Sequence, residues 1–147
     1  MKNSIQSKQK ERGQSMVELA LFITLLMIML AGTIDLGRAF YTWLAMRDAA
    51  QEGAAYGSIE PTQTTEIYNR ITRNLEQVLN PTDYSISVNI VGQPCLGNDS
   101  SINNSIKVIV DYPQFPLTMP FIGTLLGTQT LAIHATIEDA IIRPLCP

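Results

Sequence analysis

Charge is scarce in this chain, and so are the side chains that most often carry chemistry. Charged residues make up 16% of the 147 residues, against about a quarter in ordinary soluble proteins. Histidine occurs once, at His134, and cysteine twice, at Cys95 and Cys146. A structural zinc site takes four such ligands, so three exclude one. No glycine-rich phosphate loop, nucleophile elbow or H-E-x-x-H pair occurs. An enzyme is therefore the least supported class, with no catalytic residue, no metal ligand and no cofactor expected. Lys and Arg number 10 against 13 Asp and Glu, with a pI near 5.0, which argues against a nucleic-acid partner. Apolar types, in contrast, reach 46%, too many for a disordered chain.

The few charges are unevenly placed. Residues 1–13 hold Lys2, Lys8, Lys10 and Arg12 against Glu11 alone, and the remainder is net acidic. From Leu19 to Ile34 there is no charged residue, a run of 16. As a helix that run spans roughly 24 Å, short of a ~30 Å hydrocarbon core. Ser15–Val17 and Leu36 extend it to spanning length. Three readings compete. A cleaved signal peptide needs a small-x-small site, and Ala31-Gly32-Thr33 is a poor one. A buried core helix does not explain the basic tip or the length. A membrane helix explains both, with its N-terminus in the cytoplasm and the bulk of the chain outside. Glu18 then lies at or inside the inner boundary, where a carboxylate is costly.

The helical pattern outlasts the apolar run. Ala39, Trp43, Met46, Ala50, Gly53 and Gly57 recur at alternating steps of four and three, which marks one helix face. Most are small, so another backbone can approach closely. Asp35 and Arg38 are three apart and expected to pair at the membrane boundary, while Asp48 and Glu52 face solvent. The spacing predicts one helix over 15–58, roughly 66 Å long, ending before Glu60-Pro61. Phe40, Tyr41 and Trp43 are either an aromatic belt at the lipid surface or packing under the head.

The rest reads as one helix and a small sheet. Ile67, Ile71, Leu75 and Val78 share a face of a helix over 66–79, stopped by Asn80-Pro81. Alternation predicts strands over 84–91, 106–112 and 129–138. One wet face and one buried face suit an antiparallel sheet, and the stem of the first helix is the candidate cover. The fold class is therefore α+β. Its parts are a basic leader (1–13), a transmembrane helix (14–36), an amphipathic stem (37–60) and a head (61–147). The polar stretch 92–104 is expected to be an exposed loop. The apolar stretch 113–127 is either a loop over the sheet edge or an exposed patch for a partner or the outer leaflet. His134 lies on the polar side of its strand, with no catalytic or metal role expected. An oxidising compartment would favour a Cys95–Cys146 disulfide.

Arg12-Gly13-Gln14-Ser15-Met16-Val17-Glu18, followed by the apolar run, resembles a type IV prepilin start: a glycine before the cut and a glutamate fifth after it. The stretches Asp35-Leu36-Gly37-Arg38-Ala39-Phe40-Tyr41 and Asp48-Ala49-Ala50-Gln51-Glu52-Gly53-Ala54-Ala55-Tyr56 resemble the TadE-like family, pilin-like proteins of the tight adherence (Tad) pilus machinery. Val110-Asp111-Tyr112-Pro113-Gln114-Phe115-Pro116 and the late Ala135-Thr136 strand also fit it. Three positions depart from the pattern: Gln14 for the usual Phe, Leu19 for Tyr, and Thr24 for a mid-helix proline. The last predicts a straighter helix. The resemblance implies a minor pilin or pseudopilin in the inner membrane. Its implied partners are other pilin-like subunits, pilus assembly proteins and a prepilin peptidase that cuts between Gly13 and Gln14. Glu18 would set helix register by meeting the freed α-amine of a neighbour, or it simply snorkels to the interface. The alternative is an uncleaved, single-span binding protein or adhesin that needs neither Gly13 nor Glu18.

Overall fold

The computed structural model describes residues 3–92, 104–119, 123 and 127–142, with side chains from Gly13 onward. Five elements follow in order: α1 (Asn3–Ile59), α2 (Thr64–Leu75), β1 (Ser85–Val91), β2 (Ser105–Pro116) and β3 (Thr130–Ala140). The sheet is antiparallel in the order β1-β2-β3. This is the expected α+β fold, a long N-terminal helix with a small three-stranded sheet.

α1 runs 57 residues, roughly 86 Å. It starts at Asn3 instead of Ser15, because the leader's Gln, Lys, Glu and Arg residues are good helix formers. Its stretch from Gly13 onward contains a window of mean hydropathy 2.3, none of it buried within the molecule. That length and composition suffice to cross a membrane, and the exposure separates it from a core helix. Thr24 and Thr33 turn their hydroxyls back onto the carbonyls of Ala20 (2.8 Å) and Met29 (2.9 Å), the local bonding a hydroxyl needs where water is absent.

Above the apolar run, α1 becomes one wall of the core. Met46, Ala49, Ala50 and Ala54 are fully buried. Against them lie Ile67, Ile71 and Leu75 of α2, Ile106, Val108, Val110, Tyr112 and Phe115 of β2, and Ile133 and Ala135 of β3. Each large apolar side chain so buried contributes about 1.5–3 kcal/mol. β2, the middle strand, follows the inside–outside alternation that its sequence shows. β1 does not have a matching cover: Ile86 and Val88 are half-buried and Ile90 is exposed, because α1 packs on β2 and β3. In β3, Leu131 is also exposed, although the alternation places it with Ile133 and Ala135.

Two other boundaries move. α2 ends at Leu75 rather than Leu79. Turns closed by Val78 and Leu79 N–H groups on the Leu75 carbonyl bring Leu79 against the core. β2 runs on through Pro113 to Pro116, with an irregularity between Tyr112 and Phe115. Prolines lack a ladder donor and so sit at such interruptions. Most of the loop at 92–104, the residues 120–122 and 124–126, and both Cys95 and Cys146 lie outside the described residues.

Gly53 and Gly57 set how closely the layers meet. A Cβ at Gly57 would come within 2.2 Å of Ile106 Cδ1 and 3.1 Å of Ile67 Cδ1. A Cβ at Gly53 would come within 2.4 Å of Ile71 Cγ1. Gly57→Leu should therefore destabilise the head by about 1–3 kcal/mol through overpacking. Gly37→Ala meets open space and should stabilise by about 0.5–1 kcal/mol through backbone entropy. Thermal unfolding of both variants in detergent, followed by circular dichroism, tests the contrast.

Candidate functional site

The sequence-derived site residues fall into two groups along α1. Gly13, Gln14 and Glu18 lie in its lower half, all exposed and within continuous helix. Glu18 makes no ion pair or hydrogen bond among the described residues. It projects from a rod whose neighbours Met16, Val17, Leu19, Leu21 and Phe22 are also exposed. Most large apolar side chains of this lower half are thus open to lipid or to another helix, with Ile28 half-buried.

The second group lies where the apolar run ends and the head begins. Asp35 is 3% exposed although it stands on a helix whose neighbours Ile34 and Leu36 are open. Its burial comes from the segment that follows β2. Asp35 Oδ2 accepts the Met119 backbone N–H at 2.5 Å. Arg38 Nη1 lies 3.6 Å from Asp35 Oδ1 and donates to Thr118 Oγ1 at 2.6 Å. The Arg38 guanidinium also stands 5.3 Å from the centroid of the Phe115 ring. One carboxylate and one guanidinium therefore clip residues 115–119 to α1. Such a clip is more than a surface ion pair, because a buried acceptor without a donor costs about 1–3 kcal/mol.

Gln129 holds the same segment from the other side. Its Nε2 donates to the carbonyls of Leu117 and Met119, each at 3.1 Å. Its Oε1 accepts the Gly123 N–H at 3.0 Å, and its own carbonyl accepts the Leu117 N–H at 3.0 Å. Sequence reading passed over Gln129 and Thr118. Neither belongs to a motif, and their roles arise only when the chain returns to α1.

Beside the clip lies an open cleft lined by Arg38, Tyr41, Thr42, Leu79, Asp83 and Tyr112. Burial pushes the Tyr112 phenol above its ordinary range, and Asp83 beside it adds to the rise. It stays a neutral donor at any physiological pH. Of the aromatic residues near the boundary, Trp43 packs partly against the core, whereas Phe40 and Tyr41 are exposed. Phe40 stacks on Trp43 with centroids 6.0 Å apart. His134 is exposed on β3 and stands opposite Asp111 in the ladder. Higher up, Arg70 of α2 reaches Glu52 at 3.8 Å and Glu66 at 3.5 Å, and covers the Tyr56 ring at 4.2 Å. These exposed contacts tie α2 to the stem at small net gain.

A family model described as TadE-like protein matches residues 13–55. That stretch begins at Gly13 and takes in Glu18, the whole apolar run, Asp35, Arg38 and most of the stem. It is the family that the sequence resembles, and the match connects the chain with Tad pilus systems in general. No curated protein and no solved structure matches the chain.

Asp35→Ala should release the segment after β2 without unfolding the core. The Met119 amide should lose roughly ten- to hundredfold of its hydrogen-exchange protection, the equivalent of about 1–3 kcal/mol. The Ile133 amide, in the middle of β3, should keep its protection.

Proposed function

We propose that the chain is a minor pilin or pseudopilin of a Tad-type pilus system, with a structural or assembly role and no catalytic one. The observation that carries this reading is the coincidence of three features at one end of one helix. The TadE-like match begins at Gly13. Glu18 is the fifth residue when Gln14 is counted as the first. That carboxylate lies exposed on an apolar rod with no partner among the described residues. A charge so placed calls for a partner in lipid, and the α-amine freed at Gln14 of a second subunit supplies one of opposite sign. The exposed apolar face of residues 16–34 then serves as the surface on which neighbouring pilin helices pack. The basic leader supports an N-terminus in the cytoplasm and a head outside the inner membrane.

The mass and N-terminal sequence of the protein from its host's membranes test the reading first. A chain beginning at Gln14 is expected. A chain beginning at Met1 would favour an uncleaved, anchored binding protein instead. Glu18→Ala should lower pilus assembly while leaving the protein in the membrane, and normal piliation would remove Glu18 from the mechanism. Gly13→Ala should block processing, and only the pilin-type reading makes function depend on it.

The same reading places Cys95 and Cys146 in an oxidising compartment and pairs them as a disulfide. Support comes from the chain ends that lead to them: the Ile141 N–H donates to the Asn104 carbonyl at 2.8 Å. Such a bond closes a long loop and adds a few kcal/mol, roughly 4–5 by chain entropy. Protein from membranes should show no free thiol until it is reduced, and its melting temperature should then fall.

A further inference from the structure

A cleft of about 280 Å³ opens between α1, the turns that link α2 to β1, and the lower end of β2. It is smaller than the ~300 Å³ at which pockets for drug-sized ligands begin, and it suits a single polar group. Arg38 and Thr42 line it from α1, Leu79, Asn80 and Asp83 from the turns, and Tyr112 from β2. Thr42 is 5% exposed, yet its hydroxyl makes no hydrogen bond among the described residues. Thr24 and Thr33, on the same helix, close theirs on the carbonyl one turn back. A buried hydroxyl left open is costly, and this one borders the cleft. Arg38 engages Thr118 and Asp35 through Nη1, and 47% of its side chain remains open. Asp83 lies beside the Tyr112 phenol and accepts from the Asn80 amide at 3.3 Å and the Thr82 hydroxyl at 3.0 Å. These leave acceptor capacity on a carboxylate with about four sites.

The two charges are ordered along the molecule. β2 descends from Ile106, against Gly57, to Phe115, against Arg38. Tyr112 precedes Phe115 on that strand, so its neighbour Asp83 stands farther from the apolar run than Arg38 does. Arg38 and Thr42 come about one and two turns after Ile34, the end of the charge-free run, which is roughly 6 and 12 Å along the axis. The polar layer of one leaflet is roughly 5–8 Å deep. With α1 across a bilayer, the cleft therefore opens at headgroup level, its cation inward and its carboxylate outward. Asp35 stands behind Arg38 and is 3% exposed. Two carboxylates around one guanidinium disfavour a ligand that is only anionic and favour one that brings its own cation.

We propose that this cleft binds the headgroup of a phospholipid that carries a primary ammonium, an ethanolamine phosphate, from the leaflet on the head's side. In such a lipid the phosphate lies next to the glycerol and the ammonium beyond it, the same order as Arg38 and Asp83. The phosphate takes the Arg38 guanidinium, whose fork matches it, and the open Thr42 hydroxyl. The ammonium takes Asp83. It has three N–H donors, whereas a choline group has none, so the site selects by the amine as well as by the phosphate. One bound lipid then joins α1, the turns after α2, and β2, and fixes the head against the bilayer surface. The proposal needs α1 to cross a bilayer and does not need the chain to enter a fibre.

Native mass spectrometry tests it, on the full-length protein delipidated in detergent and titrated with one lipid at a time. Phosphatidylethanolamine should bind roughly tenfold more tightly than phosphatidylglycerol or phosphatidylcholine. Asp83→Asn should erase that preference. Thr42→Val should weaken phosphatidylethanolamine binding several-fold while its melting temperature stays level or rises, because the hydroxyl has no partner to lose. A lower melting temperature with unchanged lipid affinity would make Thr42 a structural residue and overturn its place in the site. Equal affinity for the three lipids, unaltered by Asp83→Asn, would overturn the proposal. Glycerophosphoethanolamine, the same headgroup without acyl chains, separates the sources. It should compete only far above the lipid's own concentration. Competition at equal concentration would overturn the lipid assignment in favour of a soluble phosphate ester.

Discussion

α1 has to satisfy two solvents in succession, and the rest of the molecule depends on how it changes from one to the other. Its lower half presents large apolar side chains in every direction, as lipid requires. Its upper half presents small ones on a single face, as a packed sheet and helix require. The head cannot close without that face. β2 and β3 form a sheet with one apolar side, and α2 has one apolar stripe. Neither is covered by the other, so both are laid on α1. Glycines at 53 and 57 let Ile71, Ile67 and Ile106 reach the helix backbone. Anchor and core are thus one continuous element, and force or tilt applied to the span acts directly on the head.

The changeover happens around Asp35. A carboxylate there is shut off from bulk water by the head's own segment, and Arg38 stands 3.6 Å from its Oδ1 without a hydrogen bond to it. The backbone of Met119 supplies the missing donor, and the segment that provides it is among the least polar in the head. Polar satisfaction at one atom is therefore what holds Thr118 and Met119 against the end of the apolar run. Glu18 presents the same physical problem at the other end of the span, without a solution in its own chain among the described residues. One carboxylate is thus answered within the chain, and the other stands exposed with no partner among the described residues.

Periodicity made the broad architecture legible. Steps of three and four at Ala39 through Gly57, and alternation at Ile106 through Tyr112, each reflect a face that must be buried; the strand face is buried throughout, and the helix face is buried from Met46 to Gly57 with Ala39 and Trp43 partly covered. The leader block Gly13 to Glu18 is read on a different footing: its spacing is a pattern of consecutive residues and does not require the fold. The errors cluster where the determinant is nonlocal. α2 stops short at Leu75 because Leu79 is drawn to a core that the local pattern does not contain. β2 continues past two prolines because β3 supplies partners on its other side. β1 has the same alternation as β2, yet its apolar face is only half covered, since α1 is too narrow to roof three strands.

Local sequence by itself determined that a rod-like helix of two characters would stand beside a small antiparallel sheet, because hydrophobic period and charge-free length are properties of consecutive residues. It also determined which side chains would be conspicuous, Glu18 and Asp35 among them, because a carboxylate in an apolar run is costly wherever the chain goes next. Only the tertiary structure decided what answers Asp35. The Met119 N–H donates to it, and Thr118 Oγ1 accepts from its neighbour Arg38, each across eighty residues or more of chain. Such contacts have no periodic signature, since they are fixed by where β2 ends against α1 and not by the residues that flank either partner.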